Sequence, residues 1–266
     1  MLEFLCLGSG SSGNCYLLKT GNSGILIDAG IGIRQLKKSL KEYGFSLDHI
    51  DAVLITHDHA DHIKAVGHLA NDFNKPVYAT ELVHLGINRN YCTTSKLTAK
   101  HQRIVCKGTE TQIGDFTIKP YEVSHDSTDC VGYRIETMGT TFCIITDCGV
   151  VTHQVAEAIS AANYLVIEAN YEESMLQSGP YPAYLKGRIQ SEKGHLSNHQ
   201  CAEALANHAT PELKHVWLCH LSEENNHPEL ARKTVDQVLR SNGIVAGKDF
   251  ELEVLKRKTP SGVYIL

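Results

Sequence analysis

Residues 56–62 read Thr-His-Asp-His-Ala-Asp-His, and five of these seven side chains can ligate a metal ion. His57 and His59 are two apart, so in an extended segment they share one face. Asp61 and His62 follow where the chain turns into a helix. One short turn therefore offers His57 and His59 to one ion and Asp61 and His62 to another. Imidazole with carboxylate suits zinc, manganese or iron. A solvated polar turn rarely concentrates this chemistry directly after a buried strand such as Ala52–Thr56. Three more candidates follow apolar runs: His125 in Val-Ser-His-Asp, Asp147 in Ile-Ile-Thr-Asp and His220 in Trp-Leu-Cys-His. Polar residues just past buried strands are where layered α/β folds build their sites. Each alone is equally readable as structural, but beside the 57–62 run they complete a ligand set.

These residues need strands to carry them. Apolar runs predict strands at Leu2–Leu7, Cys15–Leu18, Ile25–Ile27, Ala52–Thr56, Pro76–Ala79, Arg103–Cys106 and Phe116–Val123. Further runs lie at Val131–Glu136, Thr141–Thr146, Tyr164–Ile167, His215–Cys219, Phe250–Leu255 and Val263–Leu266. Helical spacing predicts Ile33–Tyr43, with Gly44 past its end, and a helix from His62 through about Phe73. Other helices are expected at Thr80–Leu85, His153–Ser160 and Pro228–Ser241, and at Cys201–His208 behind a Ser197–Gln200 capping box. Both halves are strand-rich with flanking helices. That suggests an α/β chain of α+β type, two sheets packed face to face between helix layers. No linker or low-complexity segment interrupts it, so residues 1–266 read as one domain.

Gly8-Ser9-Gly10-Ser11-Ser12-Gly13 satisfies G-x-G-x-x-G, the dinucleotide-binding pattern. That pattern must open a helix after a strand. Here the glycines join strand to strand, so the nucleotide reading fails on context. The loop is better read as letting backbone approach the metal centre, with Ser11, Ser12 and Asn14 as candidate donors to a substrate phosphate.

Composition sets the outer bounds. The chain has 266 residues, 42% hydrophobic and 21% charged, which is ordinary for a globular protein. No apolar run approaches the roughly 18 residues of a membrane span, and no signal peptide is evident. Nine cysteines form no C-x-x-C pair and read as reduced thiols, mostly small buried hydrophobes, in a cytoplasmic protein. The net charge of −5 excludes a global field attracting nucleic acid. Between Asn88 and Lys107, however, Arg89, Lys96, Lys100, Arg103 and Lys107 occur with no acid. That stretch reads either as a solvated loop or as a phosphate-facing stripe.

The H-x-H-x-D-H run with its downstream His, Asp and His resembles the metallo-β-lactamase superfamily over essentially the whole chain. The resemblance implies an αββα four-layer sandwich with a two-metal site at one edge. It implies His57, His59 and His125 around one ion, Asp61, His62 and His220 around the other, and Asp147 bridging. The ions would be zinc or manganese, with iron and nickel as alternatives. A water shared by both would be the nucleophile. Asp28 matches an aspartate that supports the histidine loop from behind.

Lactamase activity is disfavoured, because those enzymes place Cys or His where Asp147 stands and are exported. Leu165–Asn170, Gly194–Ser197 and Leu218–Ser222 resemble instead the tRNA 3′-processing and phosphodiesterase branch. There Glu168 and His195 would form a proton-donating pair for the leaving alkoxide. Ile-Glu-Ala-Asn replaces that branch's His-Glu-Ala-Thr at residues 167–170, which puts tRNA specificity in doubt. The early Gly-Ser-rich loop, residues 56–62 and His220–Asn226 together resemble the WalJ/YycJ group of bacterial proteins, implying a 5′-to-3′ DNA exonuclease. Tyr171, Tyr181, Tyr184, Lys186, Arg188 and Lys193 interleave aromatic rings with cations, as single-stranded ends require. Tyr181 and Arg188 are the substrate candidates in this stretch; packing on its own protein or on a second subunit of a homodimer is the alternative. Two other functions stay open: a small-molecule cyclic-phosphate or nucleotide phosphodiesterase, and a metal-bearing regulatory protein of a two-component cell-wall pathway.

Overall fold

A computed structural model describes residues 1–266. Its strands, in chain order, are β1 (Glu3–Gly8), β2 (Cys15–Lys19), β3 (Gly24–Ile27), β4 (Ala52–Leu54), β5 (Val77–Ala79), β6 (Gln102–Ile104) and β7 (Thr111–Ile113). They continue with β8 (Phe116–Glu122), β9 (Val131–Thr137), β10 (Thr140–Ile145), β11 (Tyr164–Glu168), β12 (His215–Cys219), β13 (Glu251–Val254) and β14 (Val263–Ile265). The helices are α1 (Ile33–Glu42), α2 (Ala60–Ile63), α3 (Val66–Asn71), α4 (Glu81–Arg89) and α5 (His153–Ala161). After them come α6 (Glu173–Ser178), α7 (Ala183–Ile189), α8 (Asn198–His208) and α9 (Pro228–Ser241). The chain divides into two compact units: Met1–Pro120 with Ser127–Val131 and Lys256–Leu266, and Tyr121–Asp126 with Gly132–Leu255.

The first unit carries a sheet in the order β14-β1-β2-β3-β4-β5-β6. Its β14, β1, β2 and β3 pair antiparallel, whereas β3 through β6 run parallel. Leu5, Leu17, Leu26 and Val53 from the strands meet Leu36 and Leu40 of α1 and Val66 and Leu69 of α3 in one buried cluster. Apolar burial of this kind contributes roughly 25 cal/mol per Å². Helix α1 ends as expected: Tyr43 caps it and Gly44 takes φ +79, a left-handed value that glycine adopts without strain.

The helix expected from His62 to Phe73 is split into α2 and α3. The amide of Ala65 donates to the carbonyl of Ala29 at 2.8 Å rather than to its own helix, and Ala29 donates to His62 at 2.8 Å. This cross-tie holds the histidine turn against the end of β3. Helix α4 runs longer than expected, from the Thr80 cap to Asn90.

In the second unit β9 and β10 are antiparallel, and β10, β11, β12 and β13 are parallel. Ile145, Ile167 and Leu218 lie side by side in that register. Asp147, Glu168 and His220 therefore leave the sheet at the same, carboxyl, end. The near-continuous apolar runs of these strands are what parallel strands covered on both faces require. The Ser197–Gln200 capping box forms with both of its bonds. Helices α6 and α7 were not anticipated. They carry almost no apolar face: α6 buries only Leu176 and α7 buries nothing.

Candidate metal centre

Parallel pairing of Ile27 with Leu54 brings the ends of β3 and β4 together in the first unit. Asp28 leaves β3 at φ 57, left-handed and sparsely populated for a residue with a Cβ. This turns its fully buried carboxylate toward the next strand end. It accepts from Thr56 N at 2.9 Å, from Thr56 Oγ1 at 2.9 Å and from His62 Nδ1 at 2.7 Å. With its proton given to Asp28, Thr56 Oγ1 accepts from His57 Nδ1 at 3.0 Å. Both imidazoles are thereby fixed with Nδ1 protonated and Nε2 carrying the lone pair, the form in which histidine ligates metal. The ring of His57 lies 4.7 Å from that of His59 and 4.0 Å from that of His62. Three imidazoles packed this closely, two of them with Nε2 kept as an acceptor, fit a divalent cation.

Backbone closeness holds this turn. A Cβ on Gly30 would stand 1.6 Å from the carbonyl oxygen of Asp61, so only glycine fits there. The Asp61 carboxylate lies 3.6 Å from His62 Nε2. Asp58, the other carboxylate of the run, points elsewhere: it accepts from Thr128 N at 3.1 Å and Thr128 Oγ1 at 2.6 Å. The glycine-serine loop joins antiparallel β1 and β2, as its context requires. Ser11 and Ser12 are exposed, but Asn14 is buried against Asp61 and His62.

In the second unit, Glu168 is fully buried and its carboxylate is saturated with donors. Oε1 accepts from His195 Nδ1 and from His220 Nδ1, each at 2.8 Å. Oε2 accepts from Cys148 N at 2.9 Å and Leu196 N at 3.2 Å. Burial alone would raise the pKa of Glu168, but the charge of His195 and the bonds from both imidazoles hold it well below the usual carboxylate range. Burial likewise pulls His195 down, and Glu168 outweighs it, so His195 titrates above its ordinary value. Asp147 and His220 leave their strands at φ 53 and φ 52. Asp147 Oδ1 lies 3.5 Å from His220 Nδ1, 3.6 Å from His125 Nε2 and 3.7 Å from His195 Nδ1. His125 is aimed by its other nitrogen, which donates to Gly194 O at 2.9 Å. Side-chain atoms of Asp147, Glu168, His195 and His220 all fall within 4.8 Å of one another. With both Nδ1 protons given to Glu168, Asp147 and the Nε2 atom of His220 are what this cluster can offer a divalent ion.

Sequence reasoning paired Glu168 with His195 alone and missed the share it gives to His220. It also missed the clamp behind them. Asn170 Nδ2 donates to His220 O at 2.9 Å, and Asn226 Nδ2 donates to Ala169 O at 2.9 Å and Asn198 Oδ1 at 2.8 Å. The asparagines of residues 167–170 and 220–226 were visible as unusual polar residues beside strand ends; their partners were not. Among the substrate candidates, Arg188 is engaged by Asp126 through both of its oxygens, with Nη2 3.0 Å from Oδ1, and Tyr181 is half-buried. The cations of the basic stretch stay exposed but are partly engaged by their own chain. Lys96 donates to Asn90 O, Arg103 to Lys100 O and Gln102 O, and Lys107 pairs with Asp129. Lys107 is thus neutralised by a neighbouring carboxylate, whereas Lys96 and Arg103 keep their charge at the surface.

No helix is long and apolar enough to cross a membrane. The sequence matches the family described as "Beta-lactamase superfamily domain" over residues 24–221. The chain belongs to the metallo-β-lactamase superfamily, and it is a metal-dependent hydrolase. Within that superfamily it is closely related to the WalJ/YycJ hydrolases. It is 34% identical over 262 residues to Exodeoxyribonuclease YycJ of Bacillus anthracis, covering 98% of each chain. It is 36% identical over 251 residues to Exodeoxyribonuclease WalJ of Streptococcus pneumoniae, covering 94% of this chain and 93% of the relative. The fold matches that of Zn(2+)-bound PqqB from Methylobacterium extorquens, with a TM-score of 0.74 at 16% identity over 99% of this chain and 100% of the other. The expected fold class is thus met: two sheets flanked by helices, in the metallo-β-lactamase fold.

Proposed function

We propose that the protein is a two-metal phosphodiesterase that acts on nucleic acid, a DNA exonuclease working 5′ to 3′. Its relatives of similar length are named exodeoxyribonucleases. In this reading His57, His59 and His125 hold one ion, Asp61, His62 and His220 hold the second, and Asp147 is shared. Zinc or manganese bound there would lower the pKa of water and stabilise the attacking and leaving oxygens of an in-line displacement. Asp28 and Thr56 orient His57 and His62, and Glu168 orients His220. The nine cysteines, all free thiols, support a reducing, cytoplasmic setting.

The observation that carries the reading is the 2.8 Å bond from His195 Nδ1 to Glu168 beside Asp147. A metal kept only for folding needs no proton donor. Expelling an alkoxide from a phosphodiester does, and the buried carboxylate keeps His195 protonated so that Nε2–H can supply it. The test is a metal-supplemented degradation assay on linear DNA with 5′-phosphate or 5′-hydroxyl ends, on RNA and on cyclic mononucleotides. Stepwise release of nucleotides from DNA 5′ ends is expected. Hydrolysis of cyclic mononucleotides alone would replace DNA by a small-molecule substrate, and no hydrolysis of any of them would contradict the reading.

A further inference from the structure

Asn14 closes the glycine-serine loop and is wholly buried. What it accepts fixes which way its amide faces. Gly10 N donates to Oδ1 at 2.9 Å and the Tyr16 hydroxyl donates to it at 3.3 Å. Nδ2 therefore points the other way, 2.9 Å from His62 Nε2, 3.3 Å from Asp61 Oδ2 and 3.2 Å from Gly10 O. His62 is thus held at both nitrogens. Its Nδ1–H is given to Asp28, so Nε2 has a lone pair, and Asn14 donates into it. The same lone pair is the one an ion must take, because Asp28 occupies the other nitrogen.

We propose that Asn14 is a positioning residue that competes with the ion for His62 Nε2 and Asp61 Oδ2, and so makes this metal position weaker and more readily exchanged. The proposal rests on the reading of Asp61 and His62 as ligands. Nδ2 also closes the loop onto Gly10 O at 3.2 Å, but its shortest contact, 2.9 Å, is the one to His62 Nε2. The turn of the glycine-serine loop is what carries Asn14 to those ligands.

The test is titration of metal-free protein with Zn²⁺ or Mn²⁺ against a chromophoric chelator, for the wild type, Asn14→Ala and Asn14→Asp, with circular dichroism confirming the fold. The wild type takes up two ions. Asn14→Ala strengthens one step by about two- to tenfold, the equivalent of one neutral hydrogen bond, and leaves the other alone. Asn14→Asp keeps the acceptor for Gly10 N and Tyr16 but turns a carboxylate oxygen toward Asp61 and His62. It strengthens the same step further, and its metal-free form melts below the wild type while its loaded form does not. Should Asn14→Ala fail to fold, Asn14→Asp decides alone. Two ions bound with both steps unchanged, or both weakened equally, overturns the role of Asn14 and leaves the metal reading standing. Fewer than two ions in the wild type overturns both.

Discussion

Asp28, Asp147 and His220 each sit in the left-handed region, at φ 57, 53 and 52, within two residues of the ends of strands β3, β10 and β12. Such positions cost on the order of 1–3 kcal/mol for residues with a Cβ and persist where the surroundings over-determine them. Here the surroundings are hydrogen bonds: Asp28 to Thr56 and His62, Asp147 to Thr146, His220 to Glu168 and Asn170. The strain aims the carboxylates and the imidazole off the sheet end. At this scale the clustering was legible, because three histidines and an aspartate in one turn mark a candidate metal site. The sharing of Glu168 Oε1 between two imidazoles was not legible, since it depends on strand register and backbone angle together. The pair makes a kinetic prediction. His195→Ala slows hydrolysis of a phosphodiester with a poor leaving group by about 10²–10⁴, and a nitrophenyl ester far less, because only the first needs a proton. Equal slowing of both, measured as kcat, would remove His195 from the role of acid.

At the scale of elements, parallel register does the positioning. Strands β10, β11 and β12 were legible as short apolar runs. The polar residues after β10 and β12, Asp147 and His220, were legible as site candidates, whereas Glu168 at the end of β11 came only from the resemblance. Helices α6 and α7 were not legible. Without an apolar stripe, the helical period leaves no trace in the sequence. The split of α2 from α3 was hidden for another reason: it is imposed by the carbonyl of Ala29, which is far away in sequence. Close backbone contact gives the element-scale prediction. In Gly30→Ala the new methyl would meet the Asp61 carbonyl at 1.6 Å, so the end of β3 and the histidine turn must part. The variant is expected to lose about 1–3 kcal/mol in denaturant unfolding and to take up metal more weakly. Wild-type stability together with wild-type metal uptake would show that the turn does not depend on this contact.

For the whole molecule, composition and charge excluded a membrane-spanning helix and a global basic field, and the fold class followed from strand-rich halves with flanking helices. What composition could not show is which of the fifteen histidines serve stability rather than chemistry. His84 is one that does. It lies on α4, 3% exposed, with Nε2 donating to Arg103 O at 3.1 Å. Burial lowers its pKa below the ordinary 6.5, so the folded protein holds it neutral. The unfolded chain takes up the proton first. This contribution to stability is therefore complete above about pH 6.5 and is lost as the pH falls below it. Melting temperature should drop between about pH 7.5 and 5.5, and drop less in His84→Phe. An identical pH dependence in the two proteins would acquit His84.

In the proposed mechanism, two ions held by this ligand set do the chemistry. The most direct measurement is the ion content of purified, metal-loaded protein, taken beside hydrolysis of a 5′-phosphorylated linear DNA, for the wild type, His59→Ala and Asp147→Ala. The account predicts two ions per chain and metal-dependent degradation in the wild type, with ion content reduced and degradation abolished in both variants. Degradation that survives intact in both variants, or that proceeds in the wild type after chelation, would contradict it.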